Sequence, residues 1–128
     1  MEVMKKESGM VQQKFKISEK DTQLLEQILD EIQAAMDVFH ALGESERLFL
    51  KHSEYQEGIR VHLTQVAVLL EALSESVQSE YAFVPWQTMK AFKTTLQAKE
   101  ILKLILDELP QLHGDLNYLL WDVKNGNS

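Results

Sequence analysis

The chain has 128 residues, of which 45% are hydrophobic and 26% are charged, a balance that suits one globular domain. Twenty acidic residues against thirteen basic ones give a formal net charge of −7, which argues against non-specific binding to nucleic acid or anionic lipid. The absence of cysteine excludes disulfides, thiolate metal sites and a cysteine nucleophile. No apolar run reaches the ~18–20 residues of a membrane span and no secretory signal is recognisable, so we expect a cytoplasmic protein.

We expect residues 1–16 to form a flexible arm, residues 17–124 to form one helical domain, and residues 125–128 to be frayed. The domain opens at Ser18 with an S-x-x-D pattern, in which the hydroxyl accepts a backbone N–H and the carboxylate suits the helix N-terminus. Apolar residues then recur with helical spacing as far as Phe39, and Gly43 ends the pattern. These features predict a first helix of about six turns.

Three further helices are predicted after a short helical turn at residues 43–53. The second covers residues 54–80, where apolar residues alternate steps of four and three. The third begins after Pro85, with Trp86 and Phe92 as core anchors. The fourth covers residues 98–123, with a kink or a break at Pro110 because proline lacks a backbone donor. The predicted fold is an all-α bundle with four main helices.

Two valines predict that the second helix contacts another subunit. Val61 and Val68 lie one heptad apart, beside the apolar seam of that helix. They widen the apolar surface beyond what one neighbouring helix covers. His62 borders the same seam, and we assign it, with the two valines, to a predicted homodimer interface.

The generic motifs for phosphate, dinucleotide, zinc-protease and serine-hydrolase sites are missing. Asp37 and His40 form one D-x-x-H pair, but a di-metal bundle needs two such elements and two further inward carboxylates. We therefore expect neither a metal nor a cofactor. Trp86 and Trp121 both have helical core spacing, so we favour packing over base stacking for both rings. We favour a solubilising face over a phosphate site for the basic residues Lys90, Lys93, Lys99 and Lys103.

The order of features from about residue 18 to residue 120 resembles the HepT-like branch of the HEPN superfamily. The segments that carry this resemblance are ILDEIQAAMD, EYQEGIRVHLTQVAVLLEALSE, YAFVPW and LILDELPQL. The resemblance implies an antiparallel four-helix bundle that pairs as a homodimer. Active members are metal-independent RNases that act as toxins beside a nucleotidyltransferase antitoxin.

The sequence departs from the family pattern where the catalytic residues lie. Family members carry an arginine, usually followed by asparagine, and then a histidine and a tyrosine. Here Lys93 occupies the arginine position and Thr94 the asparagine position, and the matching stretch contains no histidine and no tyrosine. Lysine lacks the planar fork with which arginine holds a phosphate, and histidine is the residue that moves protons near neutral pH. We therefore predict no catalytic residue.

Our leading hypothesis is a non-catalytic, HEPN-like binding or structural module that forms a homodimer, a decayed toxin–antitoxin component. The resemblance implies a nucleotidyltransferase-like protein as its partner. A second hypothesis is a divergent RNase that uses Lys93, with His62 acting across the dimer. A third is a helical adaptor unrelated to the family. Convergence of Lys93 and a histidine in one symmetric cleft favours the enzyme.

Overall fold

The structure, a computed structural model, describes residues 16–126, with only the backbone described at Gly126. Helices make up 82% of these residues and no strand occurs among them, which confirms the all-α class. Nearly all of the predicted arm (residues 1–16) and the last two residues of the predicted frayed end lie outside the described range. Within residues 16–126, no helix is both long enough and apolar enough to cross a membrane.

Seven α-helices follow one another along the described part of the chain: α1 Glu19–Ala41, α2 Glu46–Lys51, α3 Ser53–Glu71, α4 Glu75–Glu80, α5 Trp86–Lys90, α6 Ala98–Lys103 and α7 Leu109–Trp121. A 3-10 turn, Ala91–Lys93, extends α5. The π-helical turn Leu104–Glu108 joins α6 to α7, and a second one, Asp122–Gly126, follows α7. We call residues 98–121 the C-terminal helical segment.

Helix α1 begins and ends as predicted. The hydroxyl of Ser18 accepts the backbone N–H of Asp21 at 3.0 Å and so satisfies one of the free donors at the helix start. At the other end Gly43 adopts a φ of 68°, the left-handed conformation that glycine tolerates without a Cβ clash. The Gly43 N–H donates to the carbonyl of His40 at 2.9 Å, which closes the last turn.

The prediction of one continuous helix over residues 54–80 is wrong. Helix α3 ends at Glu71, and the separate helix α4 begins at Glu75. Ser74, between them, donates its backbone N–H and its hydroxyl to the carboxylate of Asp21, at 3.1 and 2.8 Å. The amide that a continuing helix would use is therefore bonded to α1 instead, and serine competes for the backbone in this way more readily than most residues.

The predicted third helix is shorter than its apolar stripe indicated. The sequence pattern of Trp86, Met89, Phe92 and Leu96 predicts a buried helical stripe that reaches Leu96. The helix instead ends in the 3-10 turn at Lys93, so Leu96 lies beyond it and is only partly buried. The hydroxyl of Thr94 donates to the carbonyl of Ala91 at 2.8 Å, and its extended backbone stops the turn. A side chain that bonds its own preceding turn favours such an end.

The irregularity expected at Pro110 is present, and it takes the form of a π-helical turn. Regular α-helical bonding is replaced over Leu104–Glu108, and the N–H of Leu109 donates to the carbonyl of Leu104. A proline ring clashes with the carbonyl four residues earlier in a regular helix, and the wider turn relieves that clash. The C-terminal helical segment therefore continues through Pro110 without ending there.

Helix α1 lies between α3 and α7, packs against both and runs antiparallel to both. Asp21, at its start, bonds to Ser74 just after the end of α3, and Glu26 pairs with Lys124 beyond the end of α7. The α5 segment and its 3-10 turn pack against the other side of α3. Trp86 and Phe92, the two expected anchors, are both buried in the core formed there. Burial of such large rings supplies much of the apolar driving force of a small domain.

Candidate interaction surfaces

Lys93 is positioned by the 3-10 turn that follows α5. Its ammonium group donates to the Glu71 carboxylate at the end of α3, and both side chains are about half exposed. Thr94, the next residue, uses its hydroxyl to close the turn. In this chain, Lys93 therefore forms an ion pair and Thr94 ends a helix.

His62 lies on the other side of α3, where that helix meets α1. Its Nδ1 is 2.7 Å from Oε1 of Glu31, so the carboxylate accepts the imidazole N–H, and both side chains are about one-third exposed. Nine residues separate His62 from Glu71, which is the partner of Lys93. At about 100° and about 1.5 Å per residue, these two positions face opposite ways and lie about 13.5 Å apart along the axis. Lys93 and His62 are not brought together within one chain.

Of the remaining histidines, His40 and His52 lie at helix ends, and His113 lies within α7, where it is partly buried. His40 is 3.9 Å from Asp37 and 3.5 Å from Glu44, which makes the D-x-x-H pair part of a helix-end charge cluster. His113 contacts Asn117 one turn on, at 3.2 Å. Among residues 16–126, no three histidine, aspartate or glutamate side chains lie close enough together to hold a metal ion.

The outward side of α3 carries an uncharged, partly apolar stripe. Between Glu57 and Glu71, the exposed residues of this helix are Val61, Thr64, Gln65 and Val68, which together we call the α3 face. Charged side chains line both edges, but each is turned towards a partner of its own chain. Arg60 donates to the carbonyl of Leu96 at 2.8 Å and pairs with Glu57, while His62 contacts Glu31.

A second apolar surface is not anticipated by the helical pattern. Phe83, in the loop before α5, and Tyr118 and Trp121, on α7, are 52%, 56% and 57% exposed. We call these three residues the aromatic ladder. The rings of Phe83 and Tyr118 meet edge to face with centroids 5.8 Å apart, and Tyr118 and Trp121 are stacked with centroids 6.2 Å apart.

The expectation that Trp121 packs into the core is therefore wrong. Leu116, Leu119 and Leu120 take the buried positions of that part of α7. Trp121 lies about 100° further round the helix than Leu120, which turns it towards solvent. Apolar residues spaced three and four apart show that a helix has an apolar side. The spacing does not show whether a given residue lies at the centre of that side or at its edge.

Asp21 is a buried residue whose carboxylate accepts two hydrogen bonds from Ser74. Burial alone raises the pKa of an aspartate, because it penalises the charged form. Here the hydroxyl and amide of Ser74, a hydrogen bond with Ser18 and the charge of Lys20 outweigh that effect, so the pKa of Asp21 lies below its ordinary value. The ionised carboxylate thus ties the start of α1 to the break between α3 and α4.

Comparisons of the chain with protein-family models, with curated protein sequences and with solved structures find no match. The resemblance to HEPN proteins therefore rests on the sequence segments that carry it and remains a prediction.

Proposed function

We propose that the chain is a non-catalytic helical binding module that acts as a homodimer, with the antiparallel four-helix arrangement of HEPN-like proteins. A nucleotidyltransferase-like protein is the partner that this resemblance implies, and the absence of cysteine suits a reducing, cytoplasmic setting. The observation that carries the proposal is the α3 face, on a side of the helix that exposes no charge for about four turns, between Glu57 and Glu71, in an acidic protein.

An uncharged stripe suits contact between two copies of this chain. Two molecules that each carry a net charge of −7 repel one another, so they associate most easily where neither presents a charge. The centre of a protein interface is also depleted in charged residues, because a buried charge loses its hydration. The charged edges of the α3 face are already paired within one chain, so burying the face leaves no charge without a partner.

The spacing of the two valines specifies a geometry for the dimer. Val61 and Val68 are about 10.5 Å apart along α3, and Thr64 and Gln65 lie midway between them. A two-fold axis through this midpoint places Val61 of one copy against Val68 of the other, and makes the contact self-complementary. Each valine then buries apolar surface that is exposed in the single chain.

Substitution of Val68 by glutamate is expected to raise the dimer dissociation constant by about 100-fold. The two-fold axis places each new carboxylate against Val61 of the other copy, where it loses hydration on association and gains no partner. Sedimentation velocity over a range of concentrations measures this shift. Leu106→Glu is the matched control, because Leu106 and Val68 are both 45% exposed and Leu106 lies on the C-terminal helical segment. A wild-type protein that is monomeric at high micromolar concentration contradicts the homodimer, and an unchanged Val68→Glu dimer contradicts this face.

A single cysteine gives an independent measurement of the same dimer. Because the chain contains no cysteine, Gln65→Cys introduces one thiol close to the proposed axis. We expect oxidation to link two copies, since disulfides form only where the Cα atoms approach to about 4.4–6.8 Å. Gln87→Cys, at an exposed position of α5, is the control and should remain unlinked.

The non-catalytic part of the proposal is supported by where Lys93 and His62 lie. Lys93 donates to Glu71, and His62 contacts Glu31 on the opposite side of α3. General acid–base cleavage of RNA requires both a phosphate-binding cation and a proton-transferring group near one phosphate. Because Lys93 and His62 lie apart and each is paired with a carboxylate, one chain does not supply that combination.

We therefore expect purified protein to leave single-stranded RNA intact in the presence of EDTA. The Lys93→Ala variant should also leave the RNA intact, and its overexpression should affect cell growth no differently from that of the wild type. The free energy of unfolding should change by about 0.5 kcal/mol or less, because an exposed ion pair contributes little. Gel electrophoresis of labelled RNA measures cleavage, and urea denaturation measures the free energy of unfolding. RNA cleavage that disappears in Lys93→Ala or His62→Ala, but persists in the control Lys90→Ala, would establish the divergent enzyme instead.

A further inference from the structure

We infer that the aromatic ladder binds a basic peptide segment of a partner protein. This inference names the partner class of the proposed binding module and so rests on that proposal, but it does not depend on the α3 face. The two surfaces lie on different sides of α1. Glu31 faces α3, whereas Glu26 and Asp30 line a groove with Trp121 of α7.

The ladder is an ordered row of rings rather than a set of isolated exposed side chains. It continues from the buried ring of Tyr81, which meets Phe83 edge to face with centroids 6.3 Å apart. The hydroxyl of Tyr81 donates to Asp122 at 3.0 Å, which ties the loop that carries Phe83 to the end of α7. Rings held by their neighbours lose little conformational freedom on binding, and tryptophan and tyrosine dominate the energetics of protein interfaces.

The charges beside the ladder favour a cationic ligand. The groove at Trp121 is lined by Glu26, Asp30 and Lys124 together with the amides Asn117 and Asn125. Lys124 is paired with Glu26 at 3.0 Å, and the side chain of Asp30 is exposed. Asp122 adds a further carboxylate at the Tyr81 end of the row. Arginine and lysine side chains stack on aromatic faces and are attracted by neighbouring carboxylates, so a basic segment complements both features.

The same charges disfavour the other occupants of an exposed aromatic row. Single-stranded RNA stacks its bases on such rings, but its phosphates are repelled by carboxylates and by a net charge of −7. A second copy of this chain brings Asp30 and Asp122 towards their own equivalents, a juxtaposition of like charges that costs binding energy.

Selection from a library of short random peptides on the immobilised full-length protein tests the inference. We expect the enriched peptides to have a clearly positive net charge. Binding of the resynthesised peptides, followed by fluorescence anisotropy, should weaken about tenfold or more in Trp121→Ala and in Tyr118→Ala, and much less in Trp121→Phe. Leu50→Ala, a loss of an exposed apolar side chain on α2, is the control and should bind as the wild type does.

The outcomes separate this inference from the dimer proposal. Val68→Glu should leave peptide binding unchanged, and Trp121→Ala should leave the oligomeric state unchanged. Any of three results overturns the inference: enrichment of neutral or acidic peptides, peptide binding that is insensitive to Trp121→Ala, or binding of a single-stranded RNA that is tighter than binding of the peptides. So does a change of oligomeric state in Trp121→Ala, which identifies a second copy as the occupant. Iodide should quench the fluorescence of Trp121 in the free protein. If that fluorescence is protected from iodide in the free protein, residues 1–15 of the same chain are the occupant instead.

Discussion

Replacement of Trp86 by alanine is expected to lower the free energy of unfolding by about 3–5 kcal/mol, a large part of the stability of a single domain. The indole is only 6% exposed, where α5 packs against α3. Its Nε1 also donates to the carbonyl of Tyr81 at 3.0 Å. The alanine variant therefore loses a large apolar surface, leaves a cavity and deprives a buried carbonyl of its donor.

Urea denaturation followed by far-ultraviolet circular dichroism measures this loss, because the signal does not depend on the tryptophans. Trp121→Ala is the matched control, since it removes the same side chain from an exposed position and should cost about 1 kcal/mol or less. Equal losses in the two variants contradict the anchoring role of Trp86. If Trp86→Ala does not fold, Trp86→Phe should still be less stable than the wild type, because it keeps most of the apolar volume but lacks the N–H donor.

Replacement of Asp21 by alanine is expected to cost about 2–3 kcal/mol near neutral pH. The carboxylate accepts both the amide and the hydroxyl of Ser74, and alanine leaves these partly buried donors without an acceptor. Urea denaturation at neutral pH measures the cost. Asp30→Asn is the control, because it changes an exposed aspartate of the same helix. A cost as small as that of the control contradicts the structural role of Asp21.

The pH dependence of the Asp21 contribution has a definite sign. Because the pKa of Asp21 is lowered in the folded chain, the unfolded chain binds more protons as the pH falls below the ordinary carboxyl value of about 3.9. The stabilisation is therefore complete above that pH and is lost as the pH falls through the folded pKa. Asp21→Asn should be less stable than the wild type at about pH 7, and the difference should shrink towards about pH 3. A difference that is constant over this range shows that ionisation of Asp21 does not stabilise the fold.

The sequence by itself determined the features that depend on one or two helical turns. The hydroxyl of Ser18 and the left-handed conformation of Gly43 act on their own neighbours, so the bounds of α1 follow from local chemistry. Pro110 likewise perturbs its own preceding turn, and the π-helical turn lies where the missing donor predicts an irregularity. The exposed positions of Val61 and Val68 agree with their place beside the apolar seam, while their role in a dimer remains a prediction.

Only the tertiary structure decided which segments meet. The break after α3 depends on a hydrogen bond between Ser74 and Asp21, 53 residues apart, and no breaker residue in the sequence marks it. The aromatic ladder unites Phe83 from a loop with two rings of α7, so periodicity within one helix cannot reveal it. Helical spacing specifies the direction of a side chain about its own axis, whereas its burial depends on the neighbour packed on that side. For Trp121 no helix within residues 16–126 covers that side, and a ring with core spacing is exposed there.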